Sequence, residues 1–414
     1  MNSAADNALY IDSSVAPSIA KTPAKAVRIA SIDLLRGLVI ILMTLDHVRD
    51  YFHADAFLFS PLDLSQTTPA LYFTRWITHF CAPVFVFLAG TSAYLVGIRR
   101  GSAELSSFLI KRGLWLVLAE FTIMNFAWFF NVKFSLLVFQ VIGALGVGMI
   151  ALAFISRLPY WAMLSGAVII IGGHNLLDGI HVEGDGAQAV MWAWLHEFRG
   201  FGLGEDVVLM LGYPILPWTA IMVLGYCFGV LFRSDVDPGI RRRKLLTIGT
   251  AFIAAFFFIR SLNVYGDPGK WTVEETPVLT LLSFLNVQKY PPSLLYTLIT
   301  LGPALIFLAF AERMLAGWTK PVLALGRAPF LYYILHVYLI HLLAVGAALI
   351  TGFSMSDMVF NTWITDSPDL RGYGFGLPVV YALWIIVVLM LLPVCVKYDK
   401  YKTTHREKWW LSYL

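Results

Sequence analysis

Apolar runs long enough to cross a bilayer recur from one end of this chain to the other, and they restrict its fold more than any other feature. A helix needs ~20 mostly apolar residues to span ~30 Å of hydrocarbon. Backbone polar groups in hydrocarbon must be satisfied within their own segment, so each run reads as a helix. Ten spans are expected, at 30–48, 70–98, 107–130, 134–155, 159–177, 207–232, 245–264, 291–310, 322–350 and 376–396. With 58% of residues hydrophobic and 14% charged, the 414-residue chain has no stretch from which a sizeable soluble domain could be built. The expected fold is all-α, a polytopic integral membrane bundle of about ten transmembrane helices.

Charge sorts the connections. Lys21, Lys25, Arg28, Arg99, Arg100, Lys111, Arg112, Arg157, Arg233, Arg241 to Lys244, Arg313, Lys320 and the residues from Lys397 onward fall on one side. By the positive-inside rule that side is the cytoplasm, so both termini are expected there. The opposite loops, at 49–69, 131–133, 178–206, 265–290 and 351–373, are richer in Asp, Glu, Gly and Trp, and the two larger ones could form a lid or an acceptor site. Residues 1–27 read as a flexible cytoplasmic tail rather than a secretory signal, 28–398 as the membrane domain and 399–414 as a second cytoplasmic tail. Cys81, Cys227 and Cys395 all lie in apolar runs, which argues against a disulfide framework. A net charge of +4 is what loops facing anionic lipid would give, and it implies the bilayer as partner, with no nucleic acid. No internal repeat or inverted symmetry is visible, unlike the commonest secondary-transporter layouts.

The first run is the exception to apolarity. "SIDLLRGLVIILMTLDHVRDYFHADAF", residues 31–57, carries Asp33, Arg36, His47 and His53. At ~100° per residue, Arg36 and His47 return to nearly the same angular position after three turns, and Asp33 lies within ~40° of that line. A charge near the bilayer centre costs at least ~2.5–3.5 kcal/mol, so this seam should face protein or a wet cavity. Asp33 and Arg36 can pair with each other, and a purely structural ion pair with a helix-end histidine is the plain alternative.

That opening segment resembles the heparan-alpha-glucosaminide N-acetyltransferase family and its bacterial relatives, and it is similar to the Arg-x10-His signature of transmembrane O-acyltransferases. "APVFVFLAGTSAYL" (82–95), "FQVIGALGVG" (139–148), "YPILPWTAIMVLGYCFG" (213–229), "KYPPSL" (289–294) and "GRAPFLYYILHVYLIHL" (326–342) resemble later family segments in order. The resemblance implies an acyl group carried by coenzyme A, with a histidine as general base. Arg36 and His47 match the Arg-x10-His spacing. "YFHA" (51–54) is similar to the stretch that holds the catalytic histidine of the lysosomal branch, which has asparagine where this chain has His47. His47 and His53 are therefore both candidates. Arg36 and His47 are ~16 Å apart along a helix, comparable to the reach from the diphosphate of coenzyme A to its thiol.

Other polar groups fall around this seam. Asp46 adjoins His47 and is a catalytic candidate as its orienting partner, but it projects ~100° away, so Arg49 is an alternative partner for it. Arg75 and His79, four apart, share a face and could bind an acceptor; snorkelling and packing are the plain readings. Glu120, Asn125 and Gln140 read first as buried hydrogen-bonding groups, Gln140 also as a wall of the carrier tunnel. In the ninth span Arg327 sits near the cytoplasmic end, while His336 falls near mid-membrane, where it could line the carrier's route; His341 lies ~140° round from it. Lys289 and Tyr290, just before the Pro291-Pro292 pair, could touch an acceptor or steady an oxyanion. No HExxH, Cys-x-x-Cys, P-loop or dinucleotide motif is present, so no metal is expected.

The reading is an inner-membrane (plasma-membrane) enzyme moving an acyl group, acetyl first in expectation, from cytoplasmic acyl-CoA to an amine or hydroxyl of a sugar or glycan outside. A proton-coupled small-molecule transporter or flippase is the alternative, since buried Asp, Arg and His suit it equally. The oligomeric state is open, a homodimer included.

Overall fold

The structure, a computed structural model, describes residues 29–405 and 407–413, so the expected N-terminal tail at 1–27 lies outside the described residues. Each of the ten apolar runs contains helix. In order, the helices are α1 (Ala30–Phe52), α2 (Pro69–Trp76), α3 (Cys81–Arg100), α4 (Ser102–Ala119), α5 (Asn125–Phe129), α6 (Val141–Ile155), α7 (Tyr160–Gly173) and α8 (Ala187–His196). They continue as α9 (Ile215–Phe228), α10 (Pro238–Leu262), α11 (Pro277–Leu285), α12 (Leu294–Ala311), α13 (Lys320–Arg327), α14 (Pro329–Ile350) and α15 (Leu377–Thr404).

Among the described residues, seven helical stretches are long and apolar enough to cross a membrane: Pro69–Arg100, Tyr160–Leu177, Ile215–Phe232, Pro238–Leu262, Leu294–Met314, Pro329–Ile350 and Leu377–Thr404. The other three runs are helical but differ in kind. α1 carries its charged seam, α4 passes through a wide π turn at Glu120–Met124 into α5, and α6 is only 15 residues long. α9 and α12 are buried over most of their length, whereas α10 and α15 turn Phe257, Phe258, Ile385, Leu389 and Met390 outward. Such an apolar outer belt suits contact with lipid.

Several helix starts follow from local chemistry. Thr68, Asp237, Thr276 and Ser293 each accept a backbone N–H of the first turn through a side-chain oxygen, and proline follows the cap in α2, α10 and α11. The ninth run is two helices rather than one, because Ala328 leaves helical geometry before Pro329.

Two of the apolar runs also correct the all-α expectation. Leu136–Phe139 (β1) and Val207–Leu211 (β3) are strands, paired in parallel with Leu136 opposite Val208 and Phe139 opposite Leu211. Arg199–Leu203 (β2) adds antiparallel to β3, giving the order β1-β3-β2. Asn125 fixes β1 to the π turn: its Oδ1 accepts the Val138 N–H at 2.7 Å, and its Nδ2 donates to the Glu120 and Val138 carbonyls. The sheet therefore delivers Gln140 and Tyr213, just past β1 and β3, to fixed places in the interior.

Close backbone approach sets α1 in the centre. A Cβ on Gly326 would stand 1.9 Å from the Asp33 carbonyl oxygen, and one on Gly37 would stand 2.1 Å from that of Val322. Only glycine permits α13 to lie this near α1. That contact brings Arg327 to the carboxylate of Asp33.

Candidate active site

α1 presents Arg36, Met43, His47 and Asp50 at spacings of seven, four and three, which places them along one helical face. Two cavities lie against this face. One, of about 380 Å³, is lined by Asp46, His47, Arg75, Gln140, Lys289 and Tyr290, with aromatic walls from Trp128, Tyr213 and Tyr333. Ser60, Pro61, Trp363 and Asp366 reach it from the loops after α1 and α14. The other, of about 280 Å³, has mainly apolar walls and four cationic side chains, Arg36, Arg112, Arg327 and Lys402. Met43, Phe85, Val141 and Tyr333 line both, so the two cavities abut in the interior.

His47 stands on the polar side of that junction. Its Nδ1 is 2.7 Å from His336 Nε2, and His336 Nδ1 is 3.0 Å from the Tyr332 carbonyl oxygen. A carbonyl only accepts, so His336 carries its proton on Nδ1 and receives at Nε2. His47 must then donate from Nδ1, which leaves its Nε2 lone pair available. Trp128 packs against the His47 ring in a T-shaped arrangement with centroids 4.7 Å apart. The Tyr332 hydroxyl bonds Thr44 at 2.7 Å, tying α14 to α1 one turn before His47.

Asp46 faces elsewhere. Its carboxylate accepts from Arg75 Nη1 at 2.8 and 3.1 Å and from Thr78 Oγ1 at 2.8 Å, and it lies 2.8 Å from Arg49 Nη1. Arg49 also pairs with Asp50. Asp46 thus holds two arginines in the cavity wall and does not orient the imidazole. Lys289, 9% exposed, lies over the Tyr290 ring at 5.0 Å and the Tyr213 ring at 5.9 Å. Gln140 precedes α6 and is 7% exposed; its Nε2 is buried with no hydrogen-bond partner among the described residues. Its backbone is anchored next to Gly143, whose N–H donates to Glu120 Oε2 at 2.7 Å.

At the other end Arg36 donates to Asp33 Oδ1 at 3.1 Å, to Ser92 Oγ at 2.9 Å and to the Gly326 carbonyl at 3.2 Å. Arg327 bridges Asp33 and Asp399 at 3.4 and 3.1 Å.

His53 and His79 lie outside both cavity walls. His53 ends α1, and its Nδ1 accepts the Asp55 N–H at 3.2 Å while its neighbours bridge to Phe375. Burial pulls its imidazole below the ordinary histidine range, against the opposing pull of the Asp55 carboxylate. His79 is 1% exposed, edge-on to Tyr296. Sequence reasoning missed Arg112, Lys402, Tyr213 and Tyr333 as cavity residues, and missed that His336 meets His47 rather than standing apart on the carrier's route. The last is invisible in sequence because the two are 289 residues apart.

The fold and cavities define the class first: a polytopic helical membrane protein with two abutting interior chambers, one cationic and apolar, the other polar and aromatic. Residues 28–266 match the family described as heparan-alpha-glucosaminide N-acetyltransferase, catalytic, and the chain belongs to this family of transmembrane acetyltransferases. The match takes in Arg36, His47, Arg75 and Gln140, while Lys289, Arg327 and His336 come from beyond it. No curated protein matches the chain.

Proposed function

We propose that this protein transfers an acyl group, acetyl first, from acyl-CoA to a hydroxyl or amine of a sugar or glycan, with His47 as general base. The observation that carries this reading is the abutment of the two cavities beside His47. The cationic rim of Arg36, Arg112, Arg327 and Lys402 suits the phosphates of coenzyme A, and the apolar chamber suits its pantetheine arm. The polar chamber offers aromatic faces and both signs of charge, which suits a sugar ring and its hydroxyls.

In the reaction, His47 Nε2 takes the proton of the acceptor as its oxygen or nitrogen attacks the thioester carbonyl. His336 keeps the imidazole in the required tautomer. Gln140 Nε2–H donates to the oxygen that gains negative charge. The tetrahedral intermediate then expels the coenzyme A thiolate, which takes the proton back from His47, so the protein ends unchanged. Asp46 is a positioning residue for Arg75 and Arg49, which with Lys289 face the acceptor.

The sides follow from charge. Ser92 holds Arg36 on the half of α3 that runs to Arg99 and Arg100, so the donor chamber lies towards the basic connections. By the positive-inside rule this is the cytoplasm, which fits ten crossings, both termini inside and a site in the inner membrane.

Arg36→Gln tests the donor half. It is expected to raise the KM for acetyl-CoA about 10- to 100-fold, the worth of one charge-assisted hydrogen bond, with kcat nearly unchanged. Thiol release measured against acetyl-CoA concentration reads this, and an unchanged KM would remove Arg36 from the donor site.

A further inference from the structure

Outside both cavities, three ligand-type side chains meet where α7 gives way to α8. His174 opens the 3-10 turn His174–Leu177, Asp178 follows it, and His196 is the last residue of α8. A donor atom of each lies within 4.8 Å of those of the other two, and His196 Nε2 is 3.7 Å from Asp178 Oδ1. Both histidines are 3% exposed. Neither ring nitrogen of His174, nor Asp178 Oδ1, makes a hydrogen bond among the described residues, although all three atoms are buried. Buried polar atoms without partners weaken a fold unless something completes them.

The surroundings are arranged as they are around metal ligands. Asn175 Nδ2 donates to Asp178 Oδ2 at 2.8 Å and leaves Oδ1 turned to the histidines. Asn175 Oδ1 accepts the Leu294 N–H at 2.9 Å, which fixes Asn175 in turn. His196 stacks on Trp192 with centroids 5.5 Å apart.

We propose that His174, Asp178 and His196 bind a divalent transition cation of the zinc class. Two imidazoles and one carboxylate are borderline donors that suit zinc, whereas calcium and magnesium call for oxygen alone. Ligand bonds of ~2.0–2.1 Å give a tetrahedral edge of about 3.4 Å; His196 Nε2 and Asp178 Oδ1 stand 3.7 Å apart, and the other donor separations, all within 4.8 Å, close further on binding. His196 Nε2 now lies 2.7 Å from the His174 carbonyl and carries the proton. On binding, the hydrogen bond to the His174 carbonyl is given up and the carbonyl turns aside, the proton leaves Nε2 while Nδ1 takes one up, the Nε2 lone pair goes to the metal, and water takes the fourth position. The ion clamps the end of α7 to α8. Two residues beyond His196, Phe198 packs on Tyr290 at 5.9 Å, so the clamp stiffens a wall of the polar chamber.

The test uses the full chain in detergent with an affinity tag that contains no histidine, loaded with Zn2+ and dialysed against metal-free buffer. Elemental analysis is expected to find about one zinc per chain, and Co2+ in its place should give the visible absorption of a tetrahedral site. Asp178→Asn and His174→Ala should weaken binding at least ~10-fold, while His181→Ala, an exposed neighbour paired with Glu197, should not. Chelation should lower the thermal midpoint of the wild type and of His181→Ala, but not of Asp178→Asn or His174→Ala. The near-isosteric Asp178→Asn keeps the test valid should His174→Ala not fold. Wild-type protein without stoichiometric metal, or binding that survives Asp178→Asn, overturns the proposal.

Discussion

His47→Ala is expected to lower kcat by ~10²- to 10⁴-fold, the usual worth of a general base, and to leave acetyl-CoA binding in place. The split follows from position. His47 belongs to the polar chamber and is absent from the cationic one, so its loss removes the proposed proton acceptor without disturbing the groups proposed to hold phosphate. His53→Ala serves as the comparison: His53 lines neither cavity and works as a cap, so its loss should cost stability with little change in the turnover of folded enzyme. Single-turnover measurements with purified variants, alongside equilibrium binding of acetyl-CoA, separate the two. Near wild-type turnover in His47→Ala, or its abolition in folded His53→Ala alone, would transfer the role of base to His53.

Gln140→Ala is expected to lower kcat by ~10²- to 10³-fold with little change in KM, as removal of one oxyanion donor does. The backbone N–H groups at the start of α6 are engaged by the Glu120 carboxylate, so the amide side chain is the donor left to serve the reaction. Its Nε2 has no other partner among the described residues, which keeps it available for charge that appears only in the transition state. Gln140→Glu preserves shape but replaces a donor with an acceptor, and the loss should be as large. Should KM rise while kcat holds in both variants, Gln140 would be a ground-state contact to the carrier instead.

The helical runs and the seam on α1 are legible in sequence for simple reasons. Length and apolarity dictate helix in hydrocarbon, and a period of 3.6 puts Arg36 and His47 on one face. The strands were hidden for an equally simple reason: Leu136–Phe139 and Val207–Leu211 are short apolar runs continuous with helices, and periodicity cannot tell a four- or five-residue strand from a buried helical segment. The break at Ala328 was signalled by Pro329 but outweighed by the length of the apolar run. Partners drawn from distant elements leave no local mark. The His47–His336 pair, the Asp46–Arg75 pair 29 residues apart, and the cluster of His174, Asp178 and His196 exist only once helices pack. Asp46 shows the limit of adjacency, since consecutive residues on a helix diverge by ~100° and the carboxylate beside His47 in sequence serves arginines instead.

On the proposed function, donor and acceptor reach His47 from opposite sides of the membrane. Proteoliposomes with the protein in one orientation, acetyl-labelled coenzyme A on the Arg36 side and an amino-sugar acceptor only on the other, test it directly. Labelled sugar is expected on the far side and free coenzyme A thiol on the near side, in equal amounts. Transfer that requires both substrates on one side, or passage of solute with the thioester intact, would contradict it.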